Sequence, residues 1–213
     1  QGEIINPSEY AEMQEFAGRL MARLLGATGV RIRSPAGTDL RLSVEGREFF
    51  TDTKLNWRTM KWMNLPVGEV IVAPVEDSME GVLVCDRAIG GVGLLRSKVN
   101  VIVEGGKATH VKGAERAVIS TVKKALGTCP NSSTVGEFAF GLNPAARVVP
   151  EFLETEKVSS TVHVAFGNNT DFPGGRNSAR NHMDLLIDRP TVDVTFADGR
   201  TETVMRSGRH TTR

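Results

Sequence analysis

The chain has 213 residues, 40% hydrophobic and 24% charged, enough to bury a substantial core and within the range of ordinary globular proteins. Its 26 lysines and arginines against 25 aspartates and glutamates leave a formal net charge of +1, which excludes a chain-wide attraction to nucleic acid or to an anionic membrane face. No apolar run approaches the roughly 20 residues that span a bilayer. The two cysteines, Cys85 and Cys129, form neither a CxxC pair nor a disulfide framework, so a reduced, cytoplasmic setting is expected. The chain opens on Gln1 without a methionine, which suggests a processed or truncated piece of a longer protein.

An amphipathic helix is predicted first, with Tyr10, Met13, Phe16, Leu20 and Leu24 spaced by three or four. Asn6 is suited to cap it, Pro7 to open it, Glu9 to reach back to the cap and Gly26 to end it. From Gly29 the period changes to two, and Val30 and Ile32 followed by Leu40, Leu42 and Val44 read as a hairpin. Further strands are expected at 69–73, 81–85, 99–103, 108–111, 161–166, 183–187 and 192–196. The last is closed by the turn Ala197-Asp198-Gly199 and answered by 201–205. A second helix is expected over 113–126, stopped by Gly127, and the glycine-, asparagine- and serine-rich stretch 172–181 reads as a loop. The fold class this pattern supports is α+β, mainly antiparallel sheet with a few helices, the whole of 1–213 forming one domain.

The chemistry begins with His182-Met-Asp184. Residues two apart on a strand share a face, so an imidazole and a carboxylate meet there. His163 lies in Thr161-Val-His-Val-Ala-Phe166, where Val162, Val164 and Phe166 fill one face and the histidine takes the other. Glu69 and Glu137 each follow a glycine and open an apolar strand, and a glycine there permits a backbone turn or the close approach of a ligand. Taken singly, each is also read as a solvated acid or a hydrogen-bonded core histidine. Together, three carboxylates and two imidazoles suit two divalent ions with one carboxylate bridging.

In the blocks that carry them, these residues resemble the metal-dependent aminopeptidases of the aminopeptidase T, aminopeptidase S and PepS family. The blocks are Asn64-Leu-Pro-Val-Gly-Glu-Val70 with Ala73-Pro and Glu80-Gly-Val82, Gly136-Glu137, His163-Val-Ala-Phe-Gly167, and His182-Met-Asp184 followed by Asp193-Val and Asp198-Gly. Gly37-Thr-Asp-Leu40 precedes them and Met205-Arg-Ser-Gly208 follows. The resemblance implies that Glu69, Glu137, His163, His182 and Asp184 ligate two ions, zinc or cobalt, with Glu69 and Glu137 catalytic. It further implies that a metal-bridging hydroxide removes N-terminal residues from peptide substrates, and that the protein is a homodimer. There are two departures. Thr170 stands where the family carries a tyrosine that supports catalysis, and Tyr10 is the only tyrosine. The family's N-terminal α/β domain has no counterpart here.

Two other readings stand beside the peptidase. A mononuclear iron ring-cleaving enzyme similar to 2,5-dihydroxypyridine dioxygenase keeps the HxD block and resembles Glu76-Asp-Ser-Met-Glu-Gly81. It looks to have lost the first glutamate and to carry a histidine at the position of Glu137, so retention of Glu69, Glu137 and His163 favours hydrolysis. The other is a metal-binding protein without catalysis, which Thr170 supports. His110 and His210 read as surface residues, Gly90-Gly-Val-Gly93 lacks the GK[ST] ending of a phosphate loop, and Trp57 and Trp62 read as packing residues that could line a pocket. Arg176 and Arg180 could bind a peptide carboxylate.

Overall fold

The structure, a computed structural model, describes residues 7–54 and 64–211, so Asn6, Trp57 and Trp62 lie outside the described residues. Helix α1 (Pro7–Leu24) precedes strands β1 (Ala27–Arg33), β2 (Asp39–Ser43), β3 (Phe50–Thr51), β4 (Glu69–Val72), β5 (Glu80–Cys85), β6 (Ala88–Ile89), β7 (Gly93–Leu94), β8 (Val99–Glu104) and β9 (Lys107–Gly113). Helix α2 (Arg116–Leu126) is followed by β10 (Val135–Gly141) and the short helix α3 (Phe152–Thr155). Then come β11 (Thr161–Gly167), β12 (His182–Asp188), β13 (Thr191–Phe196), β14 (Thr201–Arg206) and β15 (Arg209–His210). The strands form two sheets, ordered β15-β14-β13-β1-β2-β5-β8-β9 and β3-β4-β10-β11-β12-β6-β7. Their ladders are antiparallel, as the sequence pattern predicts.

Alternation explains how the sheets share one core. Val30, Ile32, Leu40 and Leu42 from the first sheet and Val70, Val72, Phe138, Phe140, Val162, Val164, Phe166, Leu185 and Ile187 from the second are buried in a single cluster. The α1 stripe of Met13, Phe16, Leu20 and Leu24 joins it. Each of these side chains contributes roughly 1.5–3 kcal/mol on burial.

The second helix starts three residues later than the pattern suggests, because Gly113 pairs with Val99 and belongs to β9. Glu137 is the third residue of β10 and does not open its strand, whereas Glu69 does open β4. His110 is exposed, but His210 is not a plain surface residue. Its ring packs edge-on against Phe16 at 4.9 Å and tilted against Phe140 at 6.0 Å.

The glycines before the two glutamates make room for the chain itself. Gly68 has φ +137°, and a Cβ there would stand 2.7 Å from Asn143 Cβ. A Cβ on Gly136 would stand 2.6 Å from the Gly167 carbonyl oxygen, at the junction of β10 with the end of β11. Gly136→Ala is therefore expected to destabilise the fold by about 1–3 kcal/mol through forced backbone movement. Thermal unfolding should show a fall of roughly 2–12 °C. An unchanged midpoint would mean that this junction is loosely packed.

Candidate metal centre

Strand register brings the predicted residues together. β4, β10, β11 and β12 are consecutive neighbours in the second sheet. Cross-strand pairs share a face, and the pairs Glu69 with Gly141, Ile71 with Ala139, Ala139 with His163, Glu137 with Ala165, Asp184 with Ala165 and His182 with Gly167 connect one set. Glu69, Glu137, His163, His182 and Asp184 thus occupy the face opposite the shared core. Between them stand Ala139, Gly141, Ala165 and Gly167, small residues that leave space above the sheet for the longer polar side chains.

Donor atoms converge there. His163 Nε2 lies 3.2 Å from Glu137 Oε1 and 3.3 Å from Glu69 Oε1, while His182 Nε2 lies 2.9 Å from Glu137 Oε2 and 3.3 Å from Asp184 Oδ1. Ligands about 2.0–2.2 Å from one ion stand about 3–3.5 Å apart, so these are separations expected around divalent ions. Glu137 presents one oxygen to each histidine, the arrangement of a bridging carboxylate. His182 Nδ1 lies 2.7 Å from the Asn168 carbonyl oxygen, to which it donates, leaving Nε2 as the ligating nitrogen of the neutral ring. Glu69 Oε1 is buried and accepts no hydrogen bond among the described residues, an orphan that a cation would satisfy. The donor set therefore fits divalent metal.

Electrostatics agree. Burial opposes ionisation of Glu137, but hydrogen bonds and charge from His163 and His182 outweigh it and hold the carboxyl well below its usual range. Burial opposes protonation of His163, yet Glu137, Glu69 and Asp184 raise it to about 10. His182 is likewise raised, against burial, by Asp184 and Glu137.

Three neighbours were not legible in the sequence. Lys157, its side chain 2% exposed, donates to Glu69 Oε2, lies 2.6 Å from Glu156 Oε1 and stands 3.8 Å from Asp52 Oδ2. Burial would lower its pKa, but those three acids raise it well above the ordinary lysine value. Burial raises Glu69 despite the ammonium, and it raises Glu156 as well. Glu156 also groups with Glu69 and His163 as a further potential ligand. Asp52 accepts the Gly68 and Glu69 amides at 3.0 and 2.7 Å and so fixes the entry to β4. Glu156 and Lys157 belong to the connection between α3 and β11, where no periodicity marks a face.

The centre opens into a cleft of about 610 Å³. Phe50 and Phe172 line one part of it, 5.4 Å apart, and Phe172 meets the His182 ring edge-on at 5.9 Å. Phe152, Leu153 and Glu151 also line it, and Phe152 clusters with Ala88 and Leu186. Gly90 and Gly91 belong to the lining too, with the Gly90 amide 2.9 Å from the Asp184 carbonyl oxygen, so this glycine-rich turn borders the candidate centre. Thr170 lines the cleft, its hydroxyl bonded to Asn168 Oδ1 at 3.2 Å. Tyr10 donates its hydroxyl to the Thr53 carbonyl on α1's side and is not among the lining residues. Neither are Arg176 and Arg180.

A half-buried ion pair fastens the 168–181 loop beside the site. Arg47 bonds Glu76 at 2.6 Å and also donates to the Gly174 carbonyl, and Glu76 accepts the Arg176 amide at 2.8 Å and the Asn169 side chain at 3.1 Å.

The sequence profile of a family described as thermophilic metalloprotease (M29) matches residues 8–210. Aminopeptidase T of Thermus aquaticus is 33% identical over 165 residues, covering 68% of this chain and 40% of that protein. Its counterpart in Thermus thermophilus is 29% identical over the same length and shares. The chain thus spans about 40% of the length of these curated relatives. Among solved structures, AmpT from Thermus thermophilus superposes with a TM-score of 0.76 at 23% identity, over 97% of this chain and 56% of that one. 2,5-Dihydroxypyridine dioxygenase from Pseudomonas putida superposes with 0.74 at 20% identity, over 99% and 64%. A hydrolase and an oxygenase fit the fold almost equally, so the fold cannot choose the chemistry and the site must. The profile match across nearly the whole chain, the Thermus relative at 33% identity and a face of converging metal donors lead to one assignment: this chain belongs to the M29 family of thermophilic metalloproteases.

Proposed function

We propose that the chain is the metal-binding, catalytic portion of an aminopeptidase that removes N-terminal residues from peptides with two divalent ions, zinc or cobalt. The carrying observation is the split of Glu137, whose Oε1 faces His163 Nε2 and whose Oε2 faces His182 Nε2. Glu69 and His163 would hold one ion, His182 and Asp184 the other, and Glu137 both. When bound, the ions would supply an acidified water and polarise the scissile carbonyl. The chain's own residues orient the reaction. Asn168 sets the His182 tautomer, Asp52 holds the backbone of Glu69, and Phe50, Phe172 and Phe152 give the cleft apolar surface for a side chain.

A histidine in place of Glu137 would suit the single-iron dioxygenase reading, and its carboxylate here supports hydrolysis instead. Thr170, without the family's phenol, makes a slower enzyme the reading in keeping with the cleft. No helix among the described residues is long and apolar enough to cross a membrane, and the two free cysteines fit a cytoplasmic location. A single domain and a homodimeric assembly complete the proposal.

At saturating zinc or cobalt, elemental analysis is expected to find about two ions per chain, and Glu69→Gln to lower both that count and peptide hydrolysis. One tightly held iron per chain, unaffected by Glu69→Gln, would sink the proposal.

A further inference from the structure

Lys157 is the one buried ammonium at the centre among the described residues, and it is bonded on one side only. Its hydrogen-bond partners are Glu69 Oε2 and Glu156 Oε1, with Asp52 Oδ2 at 3.8 Å. The other carboxylates of the site, Glu137 between the two halves and Asp184 in the far one, face imidazoles. We propose that Lys157 is a built-in counter-charge that makes the two ions bind unequally: tightly beside His182 and Asp184, and weakly, as an exchangeable ion, beside Glu69 and His163. This rests on the two-ion reading above.

Glu69 divides its oxygens. Oε2 takes the ammonium, and Oε1, orphaned and 3.3 Å from His163 Nε2, is the oxygen left for an ion. An ion on Oε1 therefore shares its carboxylate with a full positive charge that no bulk water screens, and like charges at such range repel strongly. Neither partner can withdraw. The Lys157 backbone is held by its amide to Glu154 O at 3.1 Å and by its carbonyl to the Asn143 amide at 2.8 Å. Glu69 is held by Asp52. The same ammonium keeps three crowded acids stable when the weak ion is absent, so the half-loaded protein stays folded.

The test is a calorimetric titration of the metal-free full chain with zinc ions, repeated with cobalt(II) read by visible absorption. The wild type should show two phases, the second at least about 30-fold weaker. Lys157→Met removes the charge and should tighten the second phase at least tenfold, about 1.4 kcal/mol, leaving the first within threefold. Lys157→Arg keeps the charge and should keep the wild-type separation. Metal-free Lys157→Met should melt below wild type and be restored by saturating zinc. Two ions bound with equal affinity by the wild type would overturn the proposal without any variant. So would a Lys157→Met second phase no tighter than that of Lys157→Arg, or a Lys157→Met chain that zinc fails to restore. In those cases the two-ion reading survives, whereas uptake of no divalent ion would overturn both.

Discussion

Glu137→Gln is expected to lower peptide hydrolysis on the order of 10³-fold, about 4 kcal/mol of transition-state stabilisation, because both halves of the centre depend on its two oxygens. The amide cannot bridge two cations, and its NH₂ would point a donor at one of two histidines. The fold feels the change too. Glu137 is 4% exposed and pairs with His163 and His182, and breaking such a buried pair costs about 3–5 kcal/mol. At 2–4 °C per kcal/mol, the metal-free variant should melt roughly 6–20 °C below wild type. Addition of zinc should raise the melting point of wild type and leave the variant nearly unchanged, since binding only the folded state stabilises by mass action. A variant that zinc stabilises as well as wild type would remove Glu137 from the centre.

Metal uptake should expel protons, and this is the second large effect. The carboxylates around them raise His163 to about 10 and raise His182 as well, so uptake of metal competes with protons for both rings. Ligation requires the unprotonated Nε2 of each. Complete loading at pH 7 should therefore release at least the His163 imidazolium proton, measured by calorimetry in buffers of different ionisation enthalpy. The His163 proton alone should make the binding constant rise by up to about tenfold per pH unit, flattening as pH nears 10. Stability follows the same logic with opposite signs for the two states. In the metal-free protein the raised His163 contributes stability that is fully present below the unfolded pKa, about 6.5, and lost as pH rises through about 10, and the raised His182 acts in the same direction. The depressed Glu137 contributes stability present above its unfolded value and lost as pH falls through its folded pKa. The gap in melting temperature between loaded and metal-free protein should widen from pH 6 to pH 9. Uptake without proton release would show the rings to be neutral before metal arrives.

The long elements were legible because they obey periodicity, whereas the five candidate ligands were named as a set through the family resemblance. The α1 stripe, the Val30–Leu42 hairpin and the alternation around His163 all follow from one face being buried, and the HxD spacing places His182 and Asp184 together. One further signal was available and unread. In β10 and β11 the face of the candidate ligands runs Glu137, Ala139, Gly141 and His163, Ala165, Gly167, so the small residues beside each long polar side chain announce a crowded polar face. Other parts could not be read locally. β3, β6, β7 and β15 are two residues long and exist only because a neighbouring strand pairs with them. α3 is a four-residue turn whose Phe152 is fixed by Ala88 and Leu186 from distant segments. Lys157 and Glu156 look like a solvated charge pair in sequence. Only the return of the chain from α3 to β11, across the mouth of β4, buries them beside Glu69.

The most direct test of the account is leucine release by the zinc- or cobalt-loaded chain from a leucyl peptide with a free amino terminus, set against its N-acetylated twin. The account predicts release from the free peptide alone, abolished by chelation and restored by metal. Equal cleavage of both peptides, or release that persists in the chelated protein, would contradict it.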